Sequence, residues 1–472
     1  MNVEDKQQKV AELRADVIPV KPIYEPYNQA AKDVVDLVFS QLKLTESRPT
    51  SIDKQKIVIA SVLALAQKAF NRAWGVIAIP SNNNYWSEFP RVGKDIVYRV
   101  RDALEEAGFI AFIPETGQVH FWEGDDGSLK SMGLLSCYDL DDSLSHLKGF
   151  VDAEFVETGR ATVLVSVPET RGQRILRERN NKRREKMKKE EVLKAYGKAY
   201  TIHHMEVERL LKFWSEHPLA LPPLDNGVVS YAACATRVFH DGRLDSGGRF
   251  YGAWTPMSSA YRLQGTIDGE PLAEVDLNAS QPTLFSSMVG IPLKIGKGMW
   301  EDLYEHILDK VDLTDVDVDD DKHTRRAKAK QVTVEVIGSG NHNKSGAAAD
   351  GKNDFALGEY ARYRNALIDV VPALRELDAE YKNGAGYISF HEAQIMTLTL
   401  LYLLDKGVVA YPIHDCLLVK DKEVMIAADA YRQCVRAYIK EYGEGDVDVT
   451  VPVSIERKDQ DKERITGYYH NL

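Results

Sequence analysis

An α+β fold is predicted for this 472-residue chain. Three observations predict it. The aliphatic segment Leu272-Ala-Glu-Val-Asp276 has strand character and ends on a carboxylate. Val408 to Lys420 is aliphatic on both sides of His414-Asp415, which predicts a hairpin with that dipeptide at its tip. Between them, Arg326, Lys330, Val334 and Ile337 recur at a spacing that puts all four on one helix face.

Length and composition set the frame. A chain of 472 residues exceeds one ordinary domain and suggests two or three. Its 44% hydrophobic content is that of a soluble globular protein. No apolar run reaches the roughly 20 residues of a membrane span. The start, Met-Asn-Val-Glu-Asp-Lys, lacks a basic segment followed by an apolar one, so no secretion signal is expected. Cys137, Cys234, Cys416 and Cys434 are scattered and form no C-x-x-C pair. That argues against a zinc ribbon and fits a reducing, cytoplasmic setting. The net charge of −11 argues against a protein that coats nucleic acid with its whole surface, though not against one with a local basic channel.

Residues 1–50 are expected to be a helical segment. Residues 51–125 have the order helix, turn, helix, hairpin. Ser51 is the expected N-cap of an apolar helix through Ile57, Val62 and Leu65. A second helix carries Ile96, Val97, Val100 and Leu104 and stops at Gly108. Strands Phe109–Ile113 and Gln118–Trp122 follow, joined by Pro-Glu-Thr-Gly. This order resembles a winged helix, whose second helix would bring Lys94, Arg99 and Arg101 to a nucleic-acid groove. A small helix–hairpin unit packed on a larger domain is the alternative. Residues 126–170 are strand-rich, notably Ala161–Val167. From Arg171 to Lys198 there are twelve Lys or Arg and four Glu. This basic connector, 171–200, reads either as a solvated helix or as a phosphate-contacting one.

The chemistry is expected in residues 201–472. Asp241 to Gly252 is glycine-rich and carries Arg243 and Arg249, and Arg262 is expected at a strand start. Such glycines let a backbone approach a ligand closely. After Asp276, a helix with Leu284, Phe285 and Met288 inward should begin past Pro282. A strand-end carboxylate and the neighbouring Leu277 carbonyl can ligate a hard cation. Arg326 and Lys330 could neutralise a triphosphate, with the arginine suited to bidentate phosphate contact. A carboxylate amid aliphatic strands, as at Asp415, is costly unless paired or liganded. Two carboxylates and a basic helix together are what two divalent metals and a triphosphate require. Gly338 to Ser345 looks like a phosphate loop, but Asn343 stands where glycine is needed, so a flexible loop is expected. Asp315 to Asp321 looks like a calcium loop without its glycine and reads as a solvated acidic loop.

These three segments resemble motifs A, B and C of the superfamily that joins polymerase I-type DNA polymerases and single-subunit phage-type RNA polymerases. Asp276, Ser280 and Phe285-Ser-Ser-Met288 match motif A in its phage RNA polymerase form. Arg326, Lys330 and Gly338 match motif B, and His414-Asp415 matches motif C. The likeness covers roughly residues 230–460. It implies a right-hand polymerase core with an antiparallel palm sheet, in which Asp276, Leu277 and Asp415 hold two Mg²⁺ or Mn²⁺ ions. It also implies that Lys330 is catalytic and that Arg326, Lys330, Gln281, Ile337 and Gly338 bind the nucleotide. Arg243, Arg249, Arg262, His391, Gln394 and His414 would contact nucleic acid. Downstream, a helix from Val424 to Tyr442 and a strand from Val451 follow the family's order.

The chain departs from the family at Ile337 and Val334, where aromatic residues are expected. Gln281, five residues after Asp276, could crowd a 2′-hydroxyl as a glutamate does in the DNA polymerases. The resemblance therefore implies a minimal polymerase on a DNA template, with or without a primer. It leans toward dNTPs, with an NTP-using or primase-like enzyme as the alternative. A DNA-binding replication protein with an inactive palm is the reading from another class. A phage or mobile-element origin and a place in a bacterial host or its nucleoid fit either.

Overall fold

The computed structural model describes residues 18–44, 48–70, 75–80, 83–86, 89, 91–114, 116–117, 119–123, 129–133, 135–180, 184–223, 229–294, 302–314, 316, 320–348, 351, 353–377, 384–444, 453–460 and 463–465. It is mixed α+β and divides into two compact units, residues 1–162 with 214–235, and residues 163–213 with 236–472. Among the described residues no helix is long and apolar enough to cross a membrane, and all four cysteines are free.

The first unit opens with β1 (Ile18–Pro19), β2 (Tyr24–Pro26), α1 (Gln29–Gln41) and α2 (Pro49–Phe70). Then come β3 (Val76–Ala78), α3 (Asn83–Trp86), α4 (Lys94–Glu106), β4 (Ile110–Phe112), β5 (Val119–Glu123), β6 (Leu129–Gly133), β7 (Cys137–Leu140) and β8 (Phe155–Glu157). Helix α2 starts at Pro49, two residues before the expected cap. Proline suits a first turn because it brings no amide that would go unpaired there. Val58 to Ala66 of α2 are buried on every face, which marks a central core helix. Helix α4 ends as expected, with Gly108 left-handed just past it.

The expected pairing of 109–113 with 118–122 is not formed. Strand β4 pairs with β7, and β5 pairs with β6, so the sheet runs β1-β3-β7-β4. Strand β7 delivers Cys137, Tyr138 and Leu140 to the interior.

In the second unit come β9 (Val163–Val165), α5 (Arg171–Arg179) and α6 (Lys189–Glu216), whose last three residues belong to the first unit. There β10 (Leu219–Leu221) and β11 (Ser230–Ala232) extend a ladder β2-β8-β11-β10. Back in the second unit, past the first residue of β12, are β12 (Ala235–Phe239), β13 (Gly247–Gly252), α7 (Ser259–Arg262), β14 (Thr266–Ile267), β15 (Glu270–Leu277) and α8 (Ser280–Met288). Helices α9 (Leu303–Leu308), α10 (Lys322–Ser339), α11 (Glu359–Val370) and α12 (Gly384–Asp405) follow. The chain continues with β16 (Ala410–Ile413), β17 (Cys416–Lys420), α13 (Val424–Tyr442), β18 (Val453–Arg457) and β19 (Glu463–Ile465). Helix α13 spans the expected residues. The expected strand start at Val451 lies outside the described residues.

An antiparallel sheet, β16-β17-β15-β18-β19, is the floor of this unit. Its central strand is β15, in register with β17 from Leu272↔Lys420 to Asp276↔Cys416. Val275, Leu417, Leu418, Val419 and Ile455 are fully buried, so this register is fixed by the core. Helices α8 to α12 build a separate apolar cluster around Phe285, Ile307, Val332, Val336 and Leu367. Helix α8 starts at Ser280, not after Pro282; the proline sits in the first turn, where it costs no helical hydrogen bond. Arg262 ends helix α7 and does not start a strand.

The glycines of β13 serve close packing within the fold. At Gly248 φ is +83°, and a Cβ there would lie 2.7 Å from the Phe239 ring. A Cβ on Gly252 would lie 2.5 Å from Trp254. Left-handed strain and overpacking add at the first of these positions. Gly248→Ala should therefore lose about 2–4 kcal/mol, read by chemical denaturation. An unchanged midpoint would show that the hairpin relaxes around the methyl group.

Candidate active site

One cavity of about 630 Å³ gathers eight of the seventeen site residues the sequence singled out. Arg249, Asp276, Leu277, Gln281, Arg326, Lys330, Ile337 and Asp415 all line it. Two local devices bring the carboxylates there. Asp276 is the last-but-one residue of β15, and Asp415 sits in the two-residue turn between β16 and β17. The Asp276↔Cys416 register puts them at the same end of neighbouring strands, and the Leu277 amide donates to the Asp415 carbonyl at 3.4 Å. Each strand end is turned by a left-handed non-glycine residue, Ala279 (φ 47°) after Asp276 and His414 (φ 57°) before Asp415. Such backbone costs about 1–3 kcal/mol per residue and persists only where the surroundings impose it.

Helix α10 forms the opposite wall. Its Arg326, Lys330, Thr333, Val334 and Ile337 border the cavity on one face, as the spacing predicts. Lys330 is exposed and has no charged or hydrogen-bonding partner among the described residues. Arg326 is held: its Nε donates to Asp302 Oδ2 at 2.8 Å, and a second guanidinium nitrogen reaches the same oxygen. Asp302 also caps α9, accepting from the Tyr304 amide at 3.0 Å. The Arg326 guanidinium lies 5.1 Å from the centre of the Tyr304 ring.

Three residues of this site were not foreseen. Tyr304 is a buried aromatic wall in a cavity whose helix supplies only Val334 and Ile337. Burial and Asp302 push its phenol up to about 12, with smaller contributions from Asp415 and Asp276, so it stays a hydrogen-bond donor. Asp302 had no sequence signal beyond a helix-cap pattern. Glu392, on α12, is 2% exposed and bridges two motifs. Its Oε2 accepts from Arg249 Nε at 2.7 Å and its Oε1 from Ser280 Oγ at 2.9 Å.

Three cations (Arg249, Arg326, Lys330) stand against four carboxylates (Asp276, Asp302, Glu392, Asp415). Burial, then Glu392 and Asp276, push Asp415 up to about 8, against the pull of Arg249. A carboxyl so placed calls for a cation. Among the described residues no group of three or more His, Cys, Asp or Glu side chains is arranged to hold a metal. Two carboxylates nonetheless suit Mg²⁺, which keeps several waters and takes further oxygens from substrate phosphates.

The other singled-out residues lie elsewhere. Gly338 is exposed and does not border the cavity. Arg243 is exposed and held by Asp245 at 2.7 and 2.8 Å. Arg262 is buried against Glu274 at 2.7 Å, which leaves it no face for a nucleic acid. His391 Nδ1 pairs with the Tyr438 hydroxyl at 2.7 Å, and burial pushes its imidazole down to about 4. Gln394 Oε1 accepts from the buried Arg237 at 2.8 Å. The His414 ring packs edge-on to Tyr251, centroids 5.5 Å apart. In the first unit, Lys94 and Arg101 flank the Tyr98 ring at 5.1 and 4.3 Å, and Arg99 is exposed. Helix α4 carries four carboxylates beside these three cations.

No protein-family model and no curated protein matches the chain. Among solved structures, the POL domain of Pol1 from M. smegmatis, in complex with DNA primer-template and dNTP, overlaps 62% of this chain and 57% of its own length. The identity is 12% and the TM-score 0.30, too loose a likeness to fix a shared fold or function. The chain thus spans little more than half of that neighbour.

The raised Asp415 has a measurable consequence. Its folded value of about 8 exceeds the ordinary 3.8, so the stability it contributes is complete below about pH 4 and is lost as pH rises through 8. Asp415→Asn removes that loss. In chelator, the variant should melt a few degrees above the wild type at pH 8 and level with it near pH 4, read by thermal scans. A difference that does not change with pH would contradict the burial assigned to this carboxyl.

Proposed function

We propose that the second unit is a template-directed nucleotidyltransferase that joins nucleoside triphosphates on a nucleic-acid template. One observation carries this reading: two strand-end aspartates and Lys330, unpartnered among the described residues, face one cavity. DNA is the favoured template and dNTPs the favoured substrates, because Gln281 borders the cavity five residues after Asp276. The match of motifs A, B and C points the same way.

Asp276 and Asp415 would hold two Mg²⁺ ions, with the Leu277 carbonyl as a further oxygen. Such ions, when bound, activate a 3′-hydroxyl and stabilise the departing pyrophosphate. Lys330 neutralises the triphosphate and supplies a proton to the leaving pyrophosphate. Arg326 exchanges Asp302 for the terminal phosphate, one charge-assisted pair for another. Tyr304 takes the place of the aromatics absent from α10 and bounds the nucleotide on one side. Glu392 keeps Arg249 and Ser280 fixed, so that little reorganisation is left for the moment of reaction.

The first unit favours a second reading. Its order α2-β3-α3-α4-β4, hairpin, β7, with the sheet β3-β7-β4, is compatible with a winged helix in which β5–β6 would be the wing. A DNA-binding replication protein with a silent second unit would use this face. The four carboxylates on α4 weigh against phosphate contact there.

Extension of a labelled DNA primer on a DNA template separates the readings. Template-dependent extension with Mg²⁺ or Mn²⁺ should fall at least about a thousandfold in Asp276→Ala and in Asp415→Ala. Lys330→Met should retain trace synthesis with a raised nucleotide KM. No product from the wild type with dNTPs or NTPs, alongside tight duplex binding, would favour the DNA-binding reading.

A further inference from the structure

A second cavity in the same unit, of about 550 Å³, lies outside the machinery described above. Its walls come from the turn just past α9 (Lys310, Asp312), the loop after α10 (Asn343), helix α11 (Arg362, Arg364) and the turn of Pro372–Leu377 (Arg375). The Asn343 loop is the stretch that mimics a phosphate loop in sequence.

The charge here is not balanced as it is in the first cavity. Lys310 and Arg375 are exposed and have no ion-pair or hydrogen-bond partner among the described residues. Arg364 directs its hydrogen bonds to neutral oxygens, the Lys344 carbonyl at 3.0 Å, the Asn343 carbonyl at 3.4 Å and Asn365 Oδ1 at 2.8 Å. Three cations therefore keep their charge available, in a protein with a net charge of −11. Arg362 is fixed on the Asp312 carbonyl at 2.9 Å. Asp312 and Asp369 are the carboxylates on the lining.

Among the described residues His342 is the one ring on the lining, with no Phe, Tyr or Trp beside it, so little surface is offered on which bases could stack. What it offers is cations spread over several elements, the arrangement that follows a phosphate backbone without reading bases. Its position agrees. Helix α10 presents Lys330 to the first cavity and ends at Ser339, next to the loop of the second. Those nine residues rise about 14 Å, roughly four base steps of a strand.

We propose that this basic cavity grips the sugar–phosphate backbone of a single nucleic-acid strand on its way to the active centre. This rests on the polymerase reading only for the strand's destination. The double variant Lys310→Gln/Arg375→Gln in the full chain tests it, with circular dichroism to verify folding. By fluorescence anisotropy, a labelled single-stranded oligonucleotide should bind about tenfold more weakly, and the slope of log affinity against log salt should fall by about 2. Extension should weaken on a primer–template with a long single-stranded overhang and stay unchanged with a one-nucleotide overhang. Unchanged affinity and slope would overturn the proposal. So would displacement of the oligonucleotide by equimolar inorganic tripolyphosphate, which would mark a small polyphosphate site. If the wild type extends nothing, the polymerase reading fails, while the anisotropy still decides the strand site.

Discussion

The site depends on one register. Strand β15 must meet β17 with Asp276 opposite Cys416, or the two carboxylates do not share a cavity. A slip of one residue would turn Asp276 to the other face of the sheet and expose Val275 and Leu417, both fully buried. The aliphatic core therefore does more than stabilise the sheet. It sets the separation of two groups that repel each other, which short-range forces alone would never hold side by side.

That repulsion is balanced locally. Arg249 is pinned by Glu392, and Glu392 in turn receives the hydroxyl of Ser280, so motif A, the glycine-rich hairpin and α12 meet at one buried carboxylate. The left-handed backbone at Ala279 and His414 adds strain at the same place. Instability of this kind is expected where a site is built for a charge that arrives from outside.

The legible part of the sequence was the part governed by local pattern. Helix α13, the α10 face and the hairpin tip at His414-Asp415 stand where periodicity and aliphatic flanks put them. Partner choice was not legible. Nothing local says that Ile110–Phe112 pairs with Cys137–Leu140 across an intervening hairpin, because a non-local pairing is set by tertiary packing and not by pattern along the chain. The same holds for charge. Arg262 and Arg249 look alike in sequence, yet one lies buried against Glu274 and the other lines the cavity. Asp302 and Glu392 carry no motif. They matter only through what they touch, and so does Tyr304, whose helix gave no hint that it would face the carboxylates.

The order of strands also governs when the centre can exist during synthesis. The two strands that flank the Asp276 end of β15, β17 and β18, lie far downstream of it in the chain. Loop closure over such separations is slow, and it cannot begin on a ribosome before residues 416–457 have emerged. Until then only the start of β15 is paired, with β14, while its Asp276 end is not, and helices α8 to α12 can pack without it. The sheet that carries both aspartates is thus the late-assembling part of this unit. Incomplete chains would carry the helical wall and the basic cavity while lacking a second aspartate.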